Sequence, residues 1–103
     1  MATEEQQVDR RIKNELLFRT ANEKLRPLNA AFERFADEQA LFVCECSRIE
    51  CIEHVALAVA AFDKICGEPN RYIVIPGHET LEVERVVSRE TTYFVVESAL
   101  ATG

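Results

Sequence analysis

The sequence predicts an α+β protein: an N-terminal amphipathic helical arm, then a small antiparallel β-sheet unit with one short helix. Three observations carry that expectation. Residues 4 to 38 repeat apolar positions at threes and fours, the period changes after "ADEQA", and short β-rich runs between turn signals fill the second half. Within that half, "FVCECSRIEC" (residues 42 to 51) places three cysteines at C-x-C-x4-C spacing.

The arm comes first. Val8, Ile12, Leu16, Ala21, Leu25, Leu28, Phe32 and Phe35 form its apolar series, with one five-residue step between Leu16 and Ala21. From Ala21 onward the series keeps a heptad rhythm. Thr3 is placed to cap the start, and Glu4 and Glu5 suit the positive end of the helix dipole. Pro27 removes a backbone donor and crowds the preceding turn, which predicts a kink or a division into two helices.

Then the pattern shortens. "LFVCEC" reads as a strand, and "IECIEHV" as a turn leading into a second extended piece. "LAVAAFDKIC" has helical spacing and stops at Gly67. "RYIVI" is a strand closed by Pro76-Gly77. "LEVERVV" and "TTYFVVE", joined by "SRE", read as a hairpin. The expected organisation is a helical arm over residues 1–39, a compact unit over 40–98 and a frayed tail over 99–103.

Charge narrows the partners. The chain of 103 residues carries a net charge of -6, and its only basic cluster, Arg10, Arg11 and Lys13, sits beside Asp9 and Glu15. A nucleic-acid binder needs a basic face to neutralise phosphates, so nucleic acid is not expected. "VALAVAAF" is far too short to cross a bilayer, and "MATEEQQVDRR" is no secretory signal. The expected setting is cytoplasmic, where thiols stay reduced and clustered cysteines hold metal more often than they form bridges.

The cysteine spacing suits a metal. Residues two apart on an extended chain face one side, so Cys44 and Cys46 present both sulfurs together with Glu45 turned away. The turn "SRIE" then brings Cys51 back. Those are three corners of a tetrahedron, and zinc takes a fourth soft or borderline donor. Three residues compete for it. His78 follows a strand in the turn "IPGHE", with Glu79 beside it to orient the ring; His54 lies three residues after Cys51; Cys66 ends the short helix. A ligand as remote as His78 would close a loop of about 30 residues and make metal binding a staple of the unit. Buried thiols without metal, and a disulfide between Cys46 and Cys51, are the competing readings. A cysteine-rich site also accepts iron.

The order "FVCEC…C", an apolar helix, "RYIVIPGHE" and "VERVV…YFVVE" resembles an uncharacterised family of small bacterial proteins of actinobacterial type. A helical segment like "NEKLRPLNAAFERFA" precedes the same cysteine pattern there, and the similarity spans about residues 20 to 97. The resemblance implies Cys44, Cys46, Cys51 and His78 as the matching positions, without His54 or Cys66, and therefore a zinc-knuckle β-sheet unit. It implies no particular activity.

Catalytic patterns are missing from the sequence. There is no G-x-G-x-x-G, Walker lysine, H-E-x-x-H or G-x-S-x-G. The H-x-E and P-C-x-x-C elements of zinc deaminases are also missing, and no residue is evident to orient a Cys66–His54 nucleophile pair. Three thiolates and an imidazole fill a tetrahedral shell and leave a weak Lewis acid, which points to a structural ion. The expected function is a non-enzymatic interaction or regulatory module. Its helix, about 45 Å long if straight, would contact a protein partner or pair with itself as a coiled-coil dimer. A thiol-based redox or zinc sensor is the alternative, and a small zinc enzyme the third reading.

Overall fold

A computed structural model describes residues 4–36, 40–46, 48–81 and 83–98. Helix α1 (Glu4–Ala36) leads into strand β1 (Ala40–Val43), followed by β2 (His54–Leu57), helix α2 (Val59–Cys66) and strands β3 (Arg71–Val74), β4 (Glu84–Arg89) and β5 (Phe94–Ser98). The α+β architecture is as the sequence predicts. The strands form two antiparallel sheets, β1–β2 and β3–β5–β4. Thr3 and residues 99–103, expected to be a cap and a frayed tail, lie outside the described residues.

Three local expectations change. First, the helix runs through Pro27 as one element. The proline removes a bond to the carbonyl one turn earlier, but Asn22 and Arg26 anchor α1 on one side of it, and Asn29 and Glu33 on the other. Second, β1 stops at Val43, so Cys44 and Cys46 lie just past its end. Third, "SRE" is not the hairpin turn. Ser88 and Arg89 continue β4, and the reversal falls over Glu90 to Tyr93, where Glu90 N–H donates to the Tyr93 carbonyl at 2.8 Å. A register shift between Val86 and Ser88 adds a bulge to β4.

The core lies between the sheets and α2. Phe42 of β1 stacks on Phe62 of α2 with ring centroids 4.3 Å apart. Val55, Leu57, Tyr72, Ile73, Val74 and Val96 close around them, all buried. Each such side chain contributes roughly 1.5–3 kcal/mol on removal from water.

The seating of α1 departs most from its pattern. Glu15, Arg19, Asn22, Arg26, Asn29 and Glu33, spaced by fours and threes, make one polar face, and that face is turned inward. Glu15 and Asn22 are fully buried. Asn22 donates to the Val43 carbonyl at 2.9 Å and accepts the Val43 N–H at 2.8 Å, while Asn29 donates to the Leu41 carbonyl at 2.9 Å. The asparagines thereby satisfy backbone groups of β1, much as a further strand would. Arg26 pairs with Asp63 at 2.5 Å, and Glu33 accepts the Val59 N–H at 3.0 Å, capping α2 from a different helix. The apolar stripe from Ala21 to Phe32 lies about 120° around the helix from this face. It points outward: Leu28 is 68% and Phe32 45% exposed. Leu16, just before the five-residue step, is also exposed, at 51%; the side chains of Val8 and Phe35 are outside the description.

Candidate metal centre

The ligand loop grows out of the β1–β2 hairpin. Cys44 N–H donates to the Glu53 carbonyl at 2.9 Å, extending the pairing beyond β1, and Cys51 N–H donates to the Arg48 carbonyl at 3.1 Å, closing the turn that folds Cys51 back. On the other side, Pro76 and Gly77 form a tight turn after β3. His78 N–H donates to the Ile75 carbonyl at 2.8 Å, and Gly77 has φ of 96°, a conformation that favours glycine. Proline then glycine at its centre makes this a type II turn, and it swings the imidazole over the cysteines.

Donor atoms of Cys44, Cys46, Cys51 and His78 all lie within 4.8 Å of one another. His78 Nδ1 is 3.7 Å from Cys44 Sγ and 3.6 Å from Cys51 Sγ. A tetrahedral ion with metal–sulfur bonds of about 2.3 Å and metal–nitrogen bonds of about 2.0–2.1 Å separates sulfur from nitrogen by about 3.6 Å. The spacing therefore fits a Cys3His group that could hold a metal ion such as zinc.

The other two candidates are elsewhere. His54 is exposed on β2, opposite Val43. Cys66 ends α2 and packs against the core, and burial pushes its thiol pKa up. Glu79, expected to orient the imidazole, accepts the Gly77 N–H at 2.7 Å and so supports the turn.

The environment polarises the thiols. Cys44 and Cys46 are buried; Cys51 and His78 are half-buried. The Ile75 N–H donates to Cys44 Sγ at 3.3 Å, a contact that stabilises negative charge on sulfur. The Cys44 thiol, hydrogen-bonded to Cys46, holds Cys46 down at about 5, helped against burial by the Arg48 backbone. The same bond to Cys46, followed by burial, pushes Cys44 up, and burial is the first cause raising Cys51. Hydrogen bonding within the cluster thus favours the anionic form at Cys46 over Cys44, a starting point for a cation that favours thiolates.

Sequence reasoning missed the residue that holds this loop. Glu45 faces away from the sulfurs as expected, but into the protein, where it is fully buried. Its Oε2 accepts from Arg19 Nε at 2.7 Å and Asn22 Nδ2 at 3.0 Å; its Oε1 accepts from Arg19 Nη2 at 3.0 Å and Ile73 N–H at 2.9 Å. Its own N–H donates to the Ile73 carbonyl at 2.7 Å. Arg19 also donates to the Arg71 carbonyl and lies 4.8 Å from the Tyr72 ring centroid. Burial would lower the Arg19 pKa, but hydrogen bonding and attraction to Glu45 outweigh it and raise it. An acid between two cysteines was the available signal; nothing local named its partners.

No protein-family model, curated protein or solved structure matches the chain. Among the described residues, no helix is long and apolar enough to cross a membrane.

Proposed function

We propose that this is a small, non-enzymatic interaction or regulatory module in which Cys44, Cys46, Cys51 and His78 bind one zinc ion. The convergence of four donor atoms from two distant turns within 4.8 Å carries the reading. Four protein donors complete a tetrahedral shell, which suits a structural ion. The ion would fasten the β1–β2 hairpin to the turn after β3 and supplement a modest core. The partner-binding role draws on α1. Its docked face is polar, and Leu17, Leu28 and Phe32 remain more than 40% exposed. Such a stripe suits another helix, from a protein partner or a second copy of the chain.

Elemental analysis of the purified protein together with its solution mass tests both parts. One zinc per chain is expected. A mass above the monomer that falls on replacing Leu28 and Phe32 with aspartate would identify self-pairing. Absence of stoichiometric metal from protein purified without chelator contradicts the metal reading.

One observation favours a sensing role for the same site: Cys51 is half-buried while Cys44 and Cys46 are enclosed. Oxidation would begin at Cys51 and release the ion. Zinc release by peroxide in step with loss of structure supports sensing, and retention under strong oxidant contradicts it.

A further inference from the structure

Resting on the metal reading above, we propose that α1 is part of the metal centre: Arg19 and Asn22 act through Glu45 to position the Cys44–Cys46 ligand pair, coupling metal binding to the seating of α1. Cys44 and Cys46 can face one ion only while the residue between them is fixed on the opposite side. Glu45 is fixed there by four hydrogen bonds to its carboxylate, three of them from α1. The fourth comes from Ile73 of β3, and the chain just past that strand supplies Ile75, whose N–H meets Cys44 Sγ, and the turn bearing His78. The helix, the cysteine loop and the histidine strand therefore meet at one carboxylate.

The coupling is reciprocal. If loss of an α1 contact weakens metal binding by some factor, metal must tighten the seating of α1 by the same factor. A second attachment of α1 supplies the control. Arg26 pairs with Asp63 of α2, an exposed contact. It seats the helix without touching Glu45.

The full-length chain is used for the test. Zinc affinity is measured by competition with a chromophoric chelator. Amide hydrogen exchange over residues 15–29 is followed with and without zinc, and the cobalt-substituted protein reports ligand geometry through its visible absorption. Asn22→Ala is expected to weaken zinc binding by about 10- to 100-fold, the usual effect of losing a contact that orients a ligand, and to shift the cobalt spectrum. Arg26→Ala, which removes only an exposed ion pair, should weaken zinc binding much less than Asn22→Ala and leave the cobalt spectrum unshifted. Removing zinc from the unaltered chain should speed exchange over residues 15–29, a result that holds even if Asn22→Ala folds poorly. The proposal is overturned if zinc binds stoichiometrically while exchange over 15–29 is indifferent to it, or if folded Asn22→Ala binds zinc as tightly as the parent. Failure of the parent chain to bind zinc at all sinks the metal reading itself, a distinguishable outcome.

Discussion

Glu45 and Glu15 are both buried glutamates, one docked against α1 and the other within it, yet their surroundings are opposite. Glu45 meets a guanidinium, a carboxamide and a backbone N–H, and both oxygens are satisfied. Glu15, one turn before Arg19, has two buried oxygens without a hydrogen-bond donor, and Glu84 Oε2 and Ser98 Oγ beside it are in the same condition. Burial first, then the neighbouring Glu84 carboxyl, push Glu15 up to about 9. The lesson concerns partners rather than depth. A buried carboxylate with matched donors organises its neighbours, whereas one without them keeps its proton. Helix α1 thus meets the ligand loop through the Arg19–Glu45 ion pair and, a turn earlier, buries an acid whose surroundings favour its neutral form.

Removing the satisfied member should have the larger effect. Glu45→Ala leaves the Arg19 guanidinium, 13% exposed, without its counter-charge. Breaking one side of a buried pair costs about 3–5 kcal/mol, so urea unfolding of the metal-loaded chain should show a loss of that order. A cost below about 1 kcal/mol, the range of surface pairs, would erase the contrast.

The unsatisfied member should report through pH. Folded Glu15 keeps its proton up to about 9, while the unfolded chain releases it near 4.5. Between those values the folded state binds more protons, so stability falls as pH rises, by at most about 1.4 kcal/mol per unit from this group. Above about 9 the contribution levels off. Glu15→Gln should flatten that slope between pH 5 and 9 in roughly that proportion. An unchanged slope would mean that Glu15 is ionised in the fold, and the comparison with Glu45 would lose its basis.

The two carboxylates also mark where the sequence was readable. The β runs, the short helix ending at Gly67 and the cysteine loop follow from spacing over fewer than about ten residues, and the structure contains them. His78 was one of three candidates until the turn at Gly77 set it over Cys44. The docking of α1 was not legible, because Arg19 and Asn22 meet partners 26 and 21 residues away. Apolar periodicity normally marks the buried face of a helix; here hydrogen bonds to β1 and Glu45 bury the polar face, and Leu28 and Phe32 of the heptad series are left exposed. Pro27 misled for a related reason, since anchors on either side of it hold a helix that local propensity alone would interrupt.

The most direct test is zinc-edge X-ray absorption on the purified, metal-loaded chain. The account predicts three sulfur neighbours near 2.3 Å and one nitrogen near 2.0–2.1 Å, to within about 0.2 Å, with the nitrogen lost in His78→Ala. A shell dominated by oxygen, or one unchanged by that substitution, would contradict it.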